Sequence, residues 1–201
     1  MNEFLNQFAD RIQSFYKDQE QEKQLLLTDI LSYANLNPEE FNNQVKEIGY
    51  DKKLMALSII MEALSKDTDR WGDFYVDLLE DIFSRAKQSS VPKQFLMYLS
   101  DFAFIERDRK EYVQRTVSIF DREIEAENIA VKLAAIENLG YYMHNDFIKD
   151  TGLIIEKLRI KLNDANWKVR HAAFTALQEA GLLRDGDKLQ VKDKLMKLLF
   201  S

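Results

Sequence analysis

The sequence predicts an all-α protein built from stacked helical hairpins. Three observations lead there. Four windows of apolar residues at helical spacing share one register, about 39 residues apart, which is the period of a helical array. Almost every other segment also reads with a 3.6-residue period. Finally, two prolines and six glycines in 201 residues leave little material for sheets, tight hairpins or long loops.

The stretch that organises the chain is Asp164 to Leu183, DANWKVRHAAFTALQEAGLL. Val169, Ala172, Ala173, Ala176, Leu177 and Ala180 fall on one helix face, Asp164 lies in the opening turn, and Gly181 is placed to stop the helix. The alanines are small enough to let a second helix come close. Stepping back from Ala173 lands on Ala135, Phe95 and Ala56, giving the ungapped windows VRHAAFTALQEAG (169–181), VKLAAIENLGYYM (131–143), VPKQFLMYLSDFA (91–103) and KKLMALSIIMEAL (52–64). Four residues on stand Leu177, Leu139, Leu99 and Ile60, and three before stand Arg170, Lys132, Pro92 and Lys53. A turn aspartate followed by a Val-Arg pair and then alanines and leucines resembles the second helix of a HEAT repeat. The resemblance implies a right-handed α-α superhelix of about four to five HEAT-like hairpins, with residues 1–201 as a single solenoid domain.

Taken in order, residues 3–17 carry Phe4, Phe8, Ile12 and Phe15 on one stripe. Their polar face is not rich in Lys and Arg, so they read as a packed cap rather than a membrane-surface helix. Residues 20–36 form a second helix, and 1–36 together make an atypical N-terminal cap, as array ends require. Asn37 and Pro38 signal a helix start, with Asn37 as N-cap and Pro38 in the first position, and Gly49 ends that helix. Second helices follow at 51–65, near 92–105, at 129–143 and at 166–181. First helices are expected over 69–87, 108–126 and 146–162. Residues 187–201 supply a C-terminal cap helix.

In HEAT proteins the basic residue of the second helix often pairs with turn acids in a ladder between repeats. The resemblance assigns that structural role to Lys53, Lys132 and Arg170, with Asp164 as the matching acid of the last hairpin. Glu47 stands at the same offset before Lys53, but Ala126 stands there before Lys132, so the ladder is expected to be partial.

At 100° per residue, positions two before, two after and six after the register residue point away from the core. These are Leu54, Lys93, Leu133 and His171; Ser58, Met97, Glu137 and Thr175; and Glu62, Asp101, Tyr141 and Glu179. Second helices line the concave surface of HEAT arrays, so Ser58, Glu62, Met97, Asp101, Glu137, Tyr141, His171, Thr175 and Glu179 are the candidate partner-binding residues. A largely acidic row with interspersed Met, Leu and Tyr suits a basic, partly apolar peptide or helix, the charges steering encounter more than supplying affinity.

Composition narrows the other classes. No cysteine means no disulfide framework and no thiolate chemistry, which suits a cytoplasmic setting. No run of roughly 18 apolar residues is present, and MNEFLNQFADRI lacks the basic start and apolar core of a signal peptide. Neither histidine, His144 or His171, sits in a metal or triad pattern, and Arg184-Asp185-Gly186-Asp187 lacks the spaced ligands of a calcium loop. The reading is therefore a non-catalytic protein-interaction scaffold without cofactor or metal. The alternative is a HEAT-like DNA glycosylase for alkylated bases, with Lys93, Lys132, Lys168, Arg170, His171 and Trp167 in a basic groove. Against it, 28 Lys plus Arg face 34 Asp plus Glu, net −6, whereas phosphate binding needs a positive footprint. Oligomeric state is not legible in this sequence.

Overall fold

The computed structural model describes residues 20–46, 57, 59–87, 96, 110–148 and 151–187. These residues form helices and turns, with no strand among them, and the chain is all-α. The helices are α1 (Glu20–Leu36), α2 (Pro38–Lys46), α3 (Thr68–Ala86), α4 (Lys110–Glu123), α5 (Ile129–His144), α6 (Gly152–Lys161) and α7 (Trp167–Glu179), with residues 59–64 also helical. Among the described residues, no helix is long and apolar enough to cross a membrane. The expected cap helices at 3–17 and 187–201 lie outside the described residues, apart from Asp187. So does nearly all of the second helix near 92–105. Two compact units result, Met1–Leu79 and Glu80–Ser201.

In the first unit α1 buries Leu26, Leu27, Ile30 and Ala34, the inward positions of its apolar stripe. Asn37 separates α1 from α2, but not as a side-chain cap. Its carbonyl accepts the Phe41 N–H at 2.9 Å, while its side-chain amide turns back to the Tyr33 carbonyl at 3.5 Å. Pro38 has no N–H to satisfy at that end, so a side-chain acceptor is less needed. Phe41 sits against Trp71 at 5.5 Å and Phe74 at 6.4 Å between ring centroids. Trp71 and Phe74 contact each other at 5.9 Å. The Trp71 indole N–H donates to Asn35 Oδ1 at 2.8 Å, so the buried ring keeps its polar edge satisfied.

The second unit contains two hairpins, α4–α5 joined through 124–128 and α6–α7 joined through 162–166. Within it α7 packs on α5 as well as on α6, and α5 on α4. Of the alanines that the sequence singled out, Ala135, Ala172, Ala173 and Ala176 are buried, and Ala180 is half-buried. Phe83, Phe120, Tyr142 and Phe147 form a ring chain with centroid separations of 5.5, 5.9 and 5.7 Å.

Both second helices start and stop by the same chemistry. Asn128 Oδ1 accepts the Ala130 and Val131 N–H groups, and Asn166 Oδ1 accepts that of Lys168. At the other end of α7, Gly181 adopts φ +70°. Leu182 N–H reaches the Leu177 carbonyl and Gly181 N–H that of Gln178, the pair of bonds of a Schellman stop. Helix α5 ends in the same pattern, with Asp146 at φ 56° in the glycine's place. Phe147 N–H bonds to Tyr142 O and Asp146 N–H to Met143 O. This corrects one expected boundary. The helix anticipated from residue 146 begins at Gly152, because Asp146 and Phe147 are committed to ending α5.

Candidate functional site

The residues of the expected binding face divide in three. Ser58, Met97 and Asp101 lie outside the described residues, as does Lys53 of the expected ladder. Glu62 belongs to the first unit and is not an open acid. It is 7% exposed, and its carboxylate meets Lys23 Nζ at 2.8 Å. The outward direction expected from helix phase fails here because Lys23, on α1, covers that side. Leu133, also expected outward, is buried at 7% exposure.

The remaining five share the second unit and two helices in direct contact. Glu137 and Tyr141 are one turn apart on α5, and His171, Thr175 and Glu179 are successive turns of α7. Glu137, His171 and Thr175 are half-buried, Glu179 is exposed, and Tyr141 is 43% exposed. Thr175 Oγ1 stands 3.5 Å from His171 Nδ1. The Tyr141 ring lies 6.3 Å from Phe147 between centroids, which places an aromatic pair at the C-terminal end of α5.

That end is tied to the same end of α7. His144 Nδ1 is 2.7 Å from the Glu179 carbonyl. A carbonyl only accepts, so Nδ1 carries the proton in this contact. The C-terminal carbonyls carry the negative end of each helix dipole, and Glu179 and Asp146 add carboxylates at the same edge. The opposite edge has a different character: Asn128 and Asn166 cap it, and exposed Lys168 lies 5.9 Å from the Trp167 ring centroid.

The expected ladder residues of this unit meet one another. Lys132 Nζ, on α5, reaches Asp164 Oδ2 at 3.4 Å, in the turn before α7. Arg170 is 6% exposed and donates through one guanidinium nitrogen to the Asp164 and Ala165 carbonyls at 2.7 and 2.9 Å. Asp164 Oδ1 also accepts the Asn166 N–H at 2.8 Å. The basic row therefore has two jobs: Lys132 links α5 to the next hairpin, and Arg170 closes the turn of its own hairpin.

Sequence reasoning missed a second set of links. Lys157 Nζ lies 2.7 Å from both oxygens of Asp121, and Lys161 Nζ lies 2.5 Å from Glu125 Oε2. Each pair joins α6 to α4 or its following turn, across 36 residues. The matched i, i+4 offsets Asp121/Glu125 and Lys157/Lys161 were the available signal. On the other side of α4, Arg122 bonds Glu123 and Glu80. Those two carboxylates, Glu123 first, push the guanidinium pKa further above its ordinary value. The buried Glu123 also meets Lys87 at 2.9 Å.

No protein-family model, curated protein or solved structure matches the chain.

Proposed function

We propose that this protein is a HEAT-like right-handed α-solenoid acting as a non-catalytic interaction scaffold, which seats a basic, partly apolar protein segment along its concave face, on α5 and α7. One observation carries the reading. Glu137, Tyr141, His171, Thr175 and Glu179 recur at one-turn spacing on two helices in contact, and all keep solvent access, while the opposite faces are consumed by the core. Extended faces of stacked helices are what such arrays use for binding. Tyrosine supplies contact area at small entropic cost, and the carboxylates favour a cationic partner. The mechanism is shape with charge, with no bond made or broken.

The test is backbone amide NMR of the labelled protein titrated with an amphipathic Lys/Leu/Tyr peptide, with a charge-reversed peptide and duplex DNA as parallel arms. Shifts confined to α5 and α7 with the basic peptide, lost in Glu137→Lys/Glu179→Lys, are expected. Perturbation of these helices by DNA alone, with steep salt dependence, would overturn the scaffold in favour of the glycosylase-type reading.

A further inference from the structure

The turn after α7 contains the only Asp-Gly dipeptide in the sequence, Asp185-Gly186, and there is no Asn-Gly. Both residues are exposed. The turn is closed by the Asp187 N–H bonding to the Arg184 carbonyl at 2.9 Å. Asp187 anchors it as well: its Oδ2 accepts the Arg184 N–H at 2.9 Å and lies 3.5 Å from Arg159 Nε on α6. Every one of these bonds uses Arg184 or Asp187. Among the described residues nothing hydrogen-bonds to the Asp185 carboxylate or the Gly186 N–H, and nothing lies within 4 Å of where a Gly186 Cβ would stand.

We infer that Asp185-Gly186 is a site of spontaneous isoaspartate formation, and hence of carboxyl methylation by an isoaspartate-directed methyltransferase. The Gly186 backbone nitrogen attacks the protonated Asp185 side-chain carboxyl carbon. The new C–N bond closes a five-membered succinimide, and the carboxyl oxygen leaves with the amide proton as water. Water then adds back. Opening at the backbone carbonyl routes the chain through the side-chain carbon and yields isoaspartate with a new exposed carboxylate, so one water is lost and one regained. Three features favour the reaction here. The amide is not held in a hydrogen bond, the carboxyl is not held in an ion pair, and glycine puts no side chain in the path of attack.

The product has a structural consequence. The extra methylene between Arg184 and Asp187 displaces the Asp187 carboxylate from Arg159. Arg159 also donates to the Leu182 carbonyl at 2.9 Å, so the tether of this turn to α6 loosens.

The full chain is aged at neutral pH beside an unfolded sample in denaturant, then cut after lysine to release Val169–Lys188. Chromatography with electron-transfer fragmentation, and labelling by isoaspartyl methyltransferase, read the product. A later-formed species of unchanged mass, preceded by one lighter by a water, is expected in the folded chain. It should be lost in Gly186→Ala and in Asp185→Glu. Formation in the unfolded chain but not in the folded one would show that the turn protects the site and would overturn the proposal. Equal accumulation at other aspartates would overturn it too.

Discussion

Gly140 of α5 lies against Ala176 of α7 so closely that a β-carbon on Gly140 would stand 2.6 Å from the Ala176 Cβ and 2.8 Å from its Cα. No adjustment of a flexible side chain relieves that, because the obstacle is a methyl and a backbone atom of the partner helix. Helix propensity alone would make Gly140→Ala favourable by up to about 1 kcal/mol. The clash reverses the sign. We expect Gly140→Ala to lower stability by about 1–3 kcal/mol, the usual cost of overpacking, read as a fall in the urea midpoint. Gly152→Ala is the control, since nothing lies within 4 Å of a Cβ there. It should raise the midpoint slightly, by about 0.4–1 kcal/mol, mainly by restricting the unfolded chain.

The two Schellman stops make a matched pair of opposite predictions. Asp146 holds a left-handed conformation at φ 56°, and Gly181 holds the equivalent place at φ 70°. An L-residue there carries a penalty of roughly 1–2 kcal/mol, less for Asp or Asn. Asp146→Gly should therefore stabilise by about 0.5–1 kcal/mol, and Gly181→Ala should destabilise by about 1 kcal/mol. Thermal melts of the two variants should move in opposite directions. Movement in the same direction would mean that the αL strain is not what distinguishes these sites.

These same residues show what could be read from the sequence. The span of α7, its glycine stop and its buried alanine face were legible because each is local: spacing, one Gly and three small residues. The start of α6 was not, because an aspartate performs at 146 the task that glycine performs at 181, and Asp is also a common opener of helices. The face of Glu62 was not legible either. Phase on one helix says which way a side chain points, whereas burial of that carboxylate depends on Lys23, 39 residues earlier. On α5 and α7 helix phase places Tyr141 and Glu179 on the exposed side, whereas Glu137, His171 and Thr175 are half-buried.

The Asn caps extend the shared register by one more position. Asn128 and Asn166 both stand seven residues before the alanine that sets the phase. Replacing either by Ala should cost about 1 kcal/mol. Asn128→Ala should cost more, because its Nδ2 also donates to the Ala86 carbonyl at the end of α3, at 3.1 Å. Denaturation midpoints of the two single variants test the order. An equal loss would indicate that the link to Ala86 contributes nothing.

Arg170 and Lys157 separate a buried cation from a surface one. Lys157 and Asp121 are 36% and 35% exposed at the side chain, and such pairs contribute about 0–1 kcal/mol. Lys157→Ala should therefore be nearly silent. Arg170 is buried, and its removal takes away the donor that the Asp164 and Ala165 carbonyls share. We expect Arg170→Ala to cost about 2–3 kcal/mol. Asp164→Asn should fall between the two, losing the charge attraction of Lys132 while retaining an oxygen for the Asn166 N–H. Arg170→Lys should recover little, because the lysine ammonium ends one bond short of the single guanidinium nitrogen that reaches both carbonyls. If Arg170→Lys restored the full midpoint, charge alone would be holding this turn, and the carbonyl contacts would have to be given up as its cause.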